Sequence, residues 1–274
     1  MKILIAADME GITGVVHWDQ VDPDHKTYPR FQKLMTGDVN AAIRGAYDGG
    51  ATGMTVVDGH NAGRNLLIEE VDSRVWLSSG SPAPLGMVQG LEAGIAAAMF
   101  VGYHARSGSA DAILDHTWSS SSMAGVWLNG QVMGEIGWSA AVCGDFDVPV
   151  ILISGDQTAC AEATGLLGAI ETATVKQACG RMAADCLAPA ASQALIYEAA
   201  VRAVQRLAAG DAPQPLHLAR PVTLRVELVT SDMADRAQIM PGTRRLEGRI
   251  IEFVAGDAVE AYRAFRTLAA VAKS

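Results

Sequence analysis

Four stretches of this chain leave almost no room for water on either side. KILIAA (2–7), MTVVD (54–58), AAMFVGYHA (97–105) and VPVILISGD (148–156) are apolar nearly end to end, each closed by Asp, Gly or His. A strand with one wet face alternates apolar and polar residues, so a continuous apolar run means cover on both faces. Between the first two runs, Phe31, Leu34, Met35, Val39, Ile43 and Ala46 recur at helical spacing over 31–47, and Gly49-Gly50 stops the helix. Strand and helix patterns that alternate in this way predict an α/β fold, a mainly parallel sheet flanked by helices.

The remaining elements are read in the same terms. A short strand is expected near 75–79 and a helix around 86–97. Asn129-Gly130 is a hairpin signal that should pair GVWLN with QVMGE, and residues 138–144 have a helical pattern. Asp156 is placed to cap a helix reaching 168, and 190–208 is an amphipathic helix. The connector DAPQPLHLARP then marks a boundary. It separates a catalytic α/β unit, 1–210, from a smaller C-terminal α+β segment, 211–274, of two strands (TLRVELV, GRIIEFV) and a final helix from Asp257 to about 272.

The strand ends carry the chemistry. Asp8 and Glu10 follow the first run, Asp58-Gly59-His60 the second, His104 the third, and Glu135 stands after the hairpin between Gly134 and Gly137. Ligands of open α/β sheets gather at the carboxyl ends of strands, so groups this far apart in sequence converge. Two carboxylates at i and i+2 repel unless a cation lies between them. Two imidazoles and three carboxylates suit zinc first, then manganese or cobalt, and five such groups exceed what one catalytic zinc takes.

Composition narrows the partners. The net charge of −9 argues against nucleic acid, which needs a basic face. The longest uncharged span, His116 to Gly134, is rich in Ser, Asn, Gln and Gly, so no membrane helix is expected. Four cysteines in apolar or helical contexts without a C-x-x-C pair, and no export signal, point to reduced core thiols and a cytoplasmic location.

The stretches DMEGITG, VDGH, GYHAR, the DHT around His116, GEIG and IMPGT, spread over residues 8–243, resemble the D-aminopeptidase family, the M55 metallopeptidases. The resemblance implies two zinc ions per subunit held by Asp8, Glu10, His60, His104 and Glu135, with Asp8 bridging. It also implies a catalytic histidine at His116, whose role as nucleophile, general base or hydrogen-bond donor stays open. The substrate would be a short peptide or amino-acid amide losing an N-terminal, D-configured residue, and the assembly a homo-oligomer, a decamer in the family. Arg106 in GYHAR is a candidate partner for a substrate carboxylate or for an acidic neighbour.

Two rivals are weighed. DMEGIT is similar to the D-x-D-x-T loop of haloacid-dehalogenase-type phosphohydrolases, with magnesium and Asp8 as nucleophile, but that chemistry has no use for His60 and His104. A metal-dependent peptide-binding protein would need the same ligands and would be indifferent to replacement of His116.

Overall fold

The computed structural model describes residues 1–273. The chain opens with β1 (Lys2–Ala7), and α1 (Tyr28–Asp48) follows, its N-terminus set by a proline in the first turn and its end by Gly49. β2 (Gly53–Asp58), β3 (Trp76–Ser78) and β4 (Ala97–Val101) come next, then the hairpin β5 (Met123–Leu128) and β6 (Gln131–Val132). α2 (Glu135–Asp145), β7 (Val150–Asp156) and α3 (Gln157–Leu167) lead to the ribbon β8 (Glu171–Gly180) and β9 (Ala183–Cys186), and to α4 (Pro189–Ala208). The last segment adds β10 (Val222–Leu228), α5 (Ser231–Ala237), β11 (Thr243–Glu247), β12 (Ile250–Ala255) and α6 (Ala258–Lys273).

The strands form two sheets. The first runs β3-β2-β1-β4-β7-β8-β9 and is parallel apart from its β8–β9 edge. β1 explains why its sequence is apolar throughout. Ile3 and Ile5 face a core shared with α1 and α4, through Met35, Val39 and Ile196, while Leu4 and Ala6 face a second core built with α2 and the other sheet. The second sheet, β11-β12-β10-β5-β6, is antiparallel, with Leu224 opposite Leu128 and Val226 opposite Val126. It therefore draws strands from both sides of the 211–221 connector.

Four expectations are corrected. The helix expected over 86–97 is two short 3-10 turns, Gly86–Val88 and Leu91–Ala93. Gly86, Gly90 and Gly94 all take positive φ (54°, 103° and 75°), a left-handed break every fourth residue that no α-helix tolerates. The third strand stops at Val101, because Gly102 turns the chain at φ 75° before His104. The hairpin is shorter than expected, and Glu135 begins α2 instead of ending a strand. Of the four cysteines expected in the core, Cys143 and Cys160 are buried, but Cys179 and Cys186 lie exposed on the β8–β9 edge ribbon. That ribbon, α5 and β11 add to the expected elements. The cap at Asp156 is as expected, its carboxylate accepting from the Thr158 and Ala159 N–H groups.

Candidate metal centre

Chain order runs β1, β2, β3 to one side and then crosses to β4 on the other side of β1. That crossing is a switch point, where loops after neighbouring strands part and leave a crevice. Asp8 and Glu10 follow β1, His60 follows β2 and His104 follows β4, so the three loops meet there. Glu135 and His116 arrive from the opposite layer, on α2 and on the loop before β5.

The loop after β1 is held from several directions. Gly11 N–H donates to Gly102 O at 2.8 Å, and a Cβ on Gly11 would lie 1.9 Å from Tyr103 O, so only glycine allows this backbone-to-backbone seat. Lys176, wholly buried on β8, donates through Nζ to the carbonyls of Glu10 (2.5 Å), Ile12 (3.0 Å) and Val15 (2.7 Å). Burial pushes its ammonium down to about 8. Asp38 on α1 accepts from Thr13 N–H at 2.9 Å and from its hydroxyl at 2.8 Å.

All six site residues expected from the sequence converge, each buried. His60 Nδ1 lies 3.4 Å from Asp8 Oδ1 and 3.1 Å from Glu10 Oε2. His104 Nε2 lies 3.4 Å from Asp8 Oδ2 and 3.3 Å from Glu135 Oε1. His116 Nε2 lies 3.9 Å from Glu10 Oε1 and 3.7 Å from Glu135 Oε1, and its ring stacks on His104 with centroids 4.0 Å apart. Ligand atoms of Asp8, Glu10 and His104 lie within 4.8 Å of one another, and those of His104, His116 and Glu135 do likewise.

Each histidine has one nitrogen against a backbone carbonyl: His60 Nε2 with Val21 O (2.9 Å), His104 Nδ1 with Ala105 O (3.0 Å) and His116 Nδ1 with Leu114 O (2.8 Å). A carbonyl only accepts, so that nitrogen carries the proton and the other, turned to the carboxylates, is a lone pair in the neutral ring. A lone pair facing a carboxylate needs a cation between them. Asp8 Oδ2, Glu10 Oε2 and His104 Nε2 are buried and without a hydrogen-bond partner, which is rare in a folded interior unless an ion satisfies them. The donor set therefore fits a divalent ion of the zinc type.

On the protein's own groups alone, protons must balance the carboxylates. Burial, with Glu10 alongside, pushes Asp8 up to about 7. Burial also opposes charge on Glu10, but His60 overrides it and holds this carboxyl well below the usual range. Burial disfavours a cation at His104, yet Glu135 and Asp8 lift it to about 10. His116 goes the other way: burial and the neighbouring His104 lower it, so it stays neutral.

The cluster floors a cavity of about 470 Å³, within the range of small-ligand sites. Trp18, Trp118, Ser119 and Ser120 form part of its wall. Trp18 meets His116 edge-on at 5.3 Å, and Arg181 pairs with Asp115 at 2.7 Å, fixing the loop that carries His116. Sequence reasoning does not reach Trp18, Lys176 or Arg181; only Lys176 offers a signal there, a lone cation inside an otherwise uncharged strand interior (TATVKQACG). Arg106 lies off this wall, its backbone N–H bonded to Glu162 at 2.8 Å.

An α/β sheet with a carboxylate–imidazole centre at its switch point defines a metallohydrolase class of site. The sequence profile of the M55 peptidases, described as D-aminopeptidase, matches residues 1–267. The D-aminopeptidase of Bacillus subtilis (strain 168) is 35% identical over 276 residues, covering 99% of this chain and 98% of the relative. A solved structure, the Zn-dependent D-aminopeptidase DppA from Bacillus subtilis, described as a self-compartmentalizing protease, superposes with a TM-score of 0.95 at 34% identity, covering 100% of this chain and 98% of its own. The chain belongs to the M55 D-aminopeptidase family.

Proposed function

We propose that this protein is a zinc-dependent aminopeptidase that removes an N-terminal D-amino acid from short peptides or amino-acid amides, with Asp8, Glu10, His60, His104 and Glu135 holding two zinc ions. The observation that carries the reading is the set of buried, unpartnered atoms Asp8 Oδ2, Glu10 Oε2 and His104 Nε2. Asp8 would serve both ligand groups, since Oδ1 faces His60 and Oδ2 faces His104. Zinc, when bound, supplies Lewis-acid polarisation of a carbonyl and a water made acidic enough to ionise near neutral pH.

The chain's own groups do the rest. His116 keeps its proton on Nδ1 against Leu114 O, so Nε2 is free to take a proton from the attacking water and pass it to the leaving amine. Trp18, edge-on to that imidazole, and Trp118 line the cavity with apolar ring surface. The self-compartmentalizing relative supports a homo-oligomer; a decamer, acting in the cytoplasm, is our own reading.

The test is release of alanine from D-Ala-D-Ala and L-Ala-L-Ala by zinc-loaded protein, with and without a chelator. Chelator-sensitive release from the D-peptide alone is the expected result. Release from the L-peptide would overturn the stereochemical assignment, and release from neither would overturn the peptidase.

A further inference from the structure

Among the described residues, the cavity wall carries four carboxylates, Asp8, Glu10, Asp22 and Glu135, and a single Lys or Arg side chain, Lys273 in the last turn of α6. Lys273 is exposed and makes no ion pair or hydrogen bond with the described residues. Seven residues earlier on the same helix, hence two turns below on the same face, Arg266 is already committed. Its guanidinium donates to Ala83 O and lies over the rings of Trp118 at 5.8 Å and Tyr262 at 5.7 Å. Among the described residues, Lys273 is thus the free cation of the cavity wall, and Asp22 is the carboxylate there outside the proposed metal ligands.

A short peptide brings its own anion into that chamber. In a dipeptide the terminal carboxylate trails the scissile carbonyl by one residue, about 3.5 Å of extended chain. Its scissile carbonyl is carried to the metal centre, where Asp8, Glu10 and Glu135 would be neutralised by the ions they hold, and the terminal carboxylate is left facing outward, toward the wall. There Asp22 repels it unless a cation receives it, and an amino-acid amide has no such group to place.

We propose that Lys273 receives the free C-terminal carboxylate of the substrate and so makes this centre select dipeptides and other short peptides over amino-acid amides. The inference rests on the aminopeptidase reading above. Lys273 determines specificity and takes no part in bond cleavage.

The experiment compares kcat/KM for D-Ala-D-Ala and D-alanine amide in the zinc-loaded full chain, in Lys273→Met and in Lys273→Arg. The expected result is an about tenfold fall in the peptide-to-amide ratio in Lys273→Met, carried by the dipeptide KM, as loss of one charge-assisted hydrogen bond implies. Lys273→Arg should restore most of the ratio. Added salt should erode the dipeptide preference of the parent protein and leave that of Lys273→Met where it is. An unchanged ratio in Lys273→Met overturns the inference while the aminopeptidase stands; a parent protein that cleaves neither substrate overturns the aminopeptidase, and this with it.

Discussion

His116 differs from the other imidazoles of the cluster in the direction its proton affinity moves, down where His60 and His104 go up. A neutral ring beside two cation-seeking neighbours suits a proton carrier better than a structural cation. His116→Gln should cost at least about a hundredfold in kcat while zinc content holds, checked by turnover of D-Ala-D-Ala alongside elemental analysis. Loss of an equivalent of zinc would make His116 a ligand instead. Asp38 offers a separate test through pH. Burial raises it from 3.8 to about 6, so the folded state binds a proton there that the unfolded chain has released. The stability it contributes is present below 3.8 and lost as pH climbs through about 6. Asp38→Asn should therefore gain on the parent protein as pH rises from 4 to 7, by about 3 kcal/mol at most, read from urea midpoints at each pH. A pH-independent difference would show that Asp38 is not ionising in this window.

The loops between elements carry the next scale of consequence. Gly102 ends β4 at φ 75°, and a Cβ there would lie 2.3 Å from Asp8 O. Gly102→Ala should destabilise by about 3 kcal/mol or more in chemical denaturation, since it adds a backbone clash to an unfavourable φ. Lys176→Met would leave the carbonyls of Glu10, Ile12 and Val15 without their donor. Zinc affinity should fall at least about tenfold, as for supporting residues of metal sites generally, in competition with a chromophoric chelator. Unchanged affinity would mean that the loop keeps its shape without the ammonium. Asp8, Glu10, His60 and His104 were readable in the sequence because an apolar run announces a buried strand and each of them stands within a few residues of such a run's end. The sequence hid Lys176, since nothing local says that a lysine on β8 reaches a loop more than 160 residues earlier. It also misled at 86–97, where apolar spacing is helical but glycines in left-handed geometry override it. The second partner of β5 was hidden for the same reason as Lys176: β10 is sequence-distant, and alternation shows a strand's face, never its neighbour.

At the scale of the molecule, the two sheets are tied through shared side chains. Trp138 of α2 stacks on Phe265 of α6 at 5.1 Å, and Val126 and Leu128 of β5 are buried against β10. A chain ending at residue 210 would leave that face of β5 without a partner. It should fail to give a cooperative thermal transition, whereas the full chain should unfold in one, by calorimetry. Two separate transitions in the full chain would establish that 1–210 is an autonomous unit.

The origin of the two halves of the cavity has a consequence for how the protein can diversify. Asp8, Glu10, His60 and His104 come from the parallel sheet, packed against α1 and β8, while Trp118, Ser119 and Lys273 come from the antiparallel layer and its helix. An engineer, or natural drift, can therefore rewrite the menu of accepted peptides on one layer without retuning the inorganic chemistry on the other. Glu135, on α2, and His116, on the loop before β5, are the rivets through both plates.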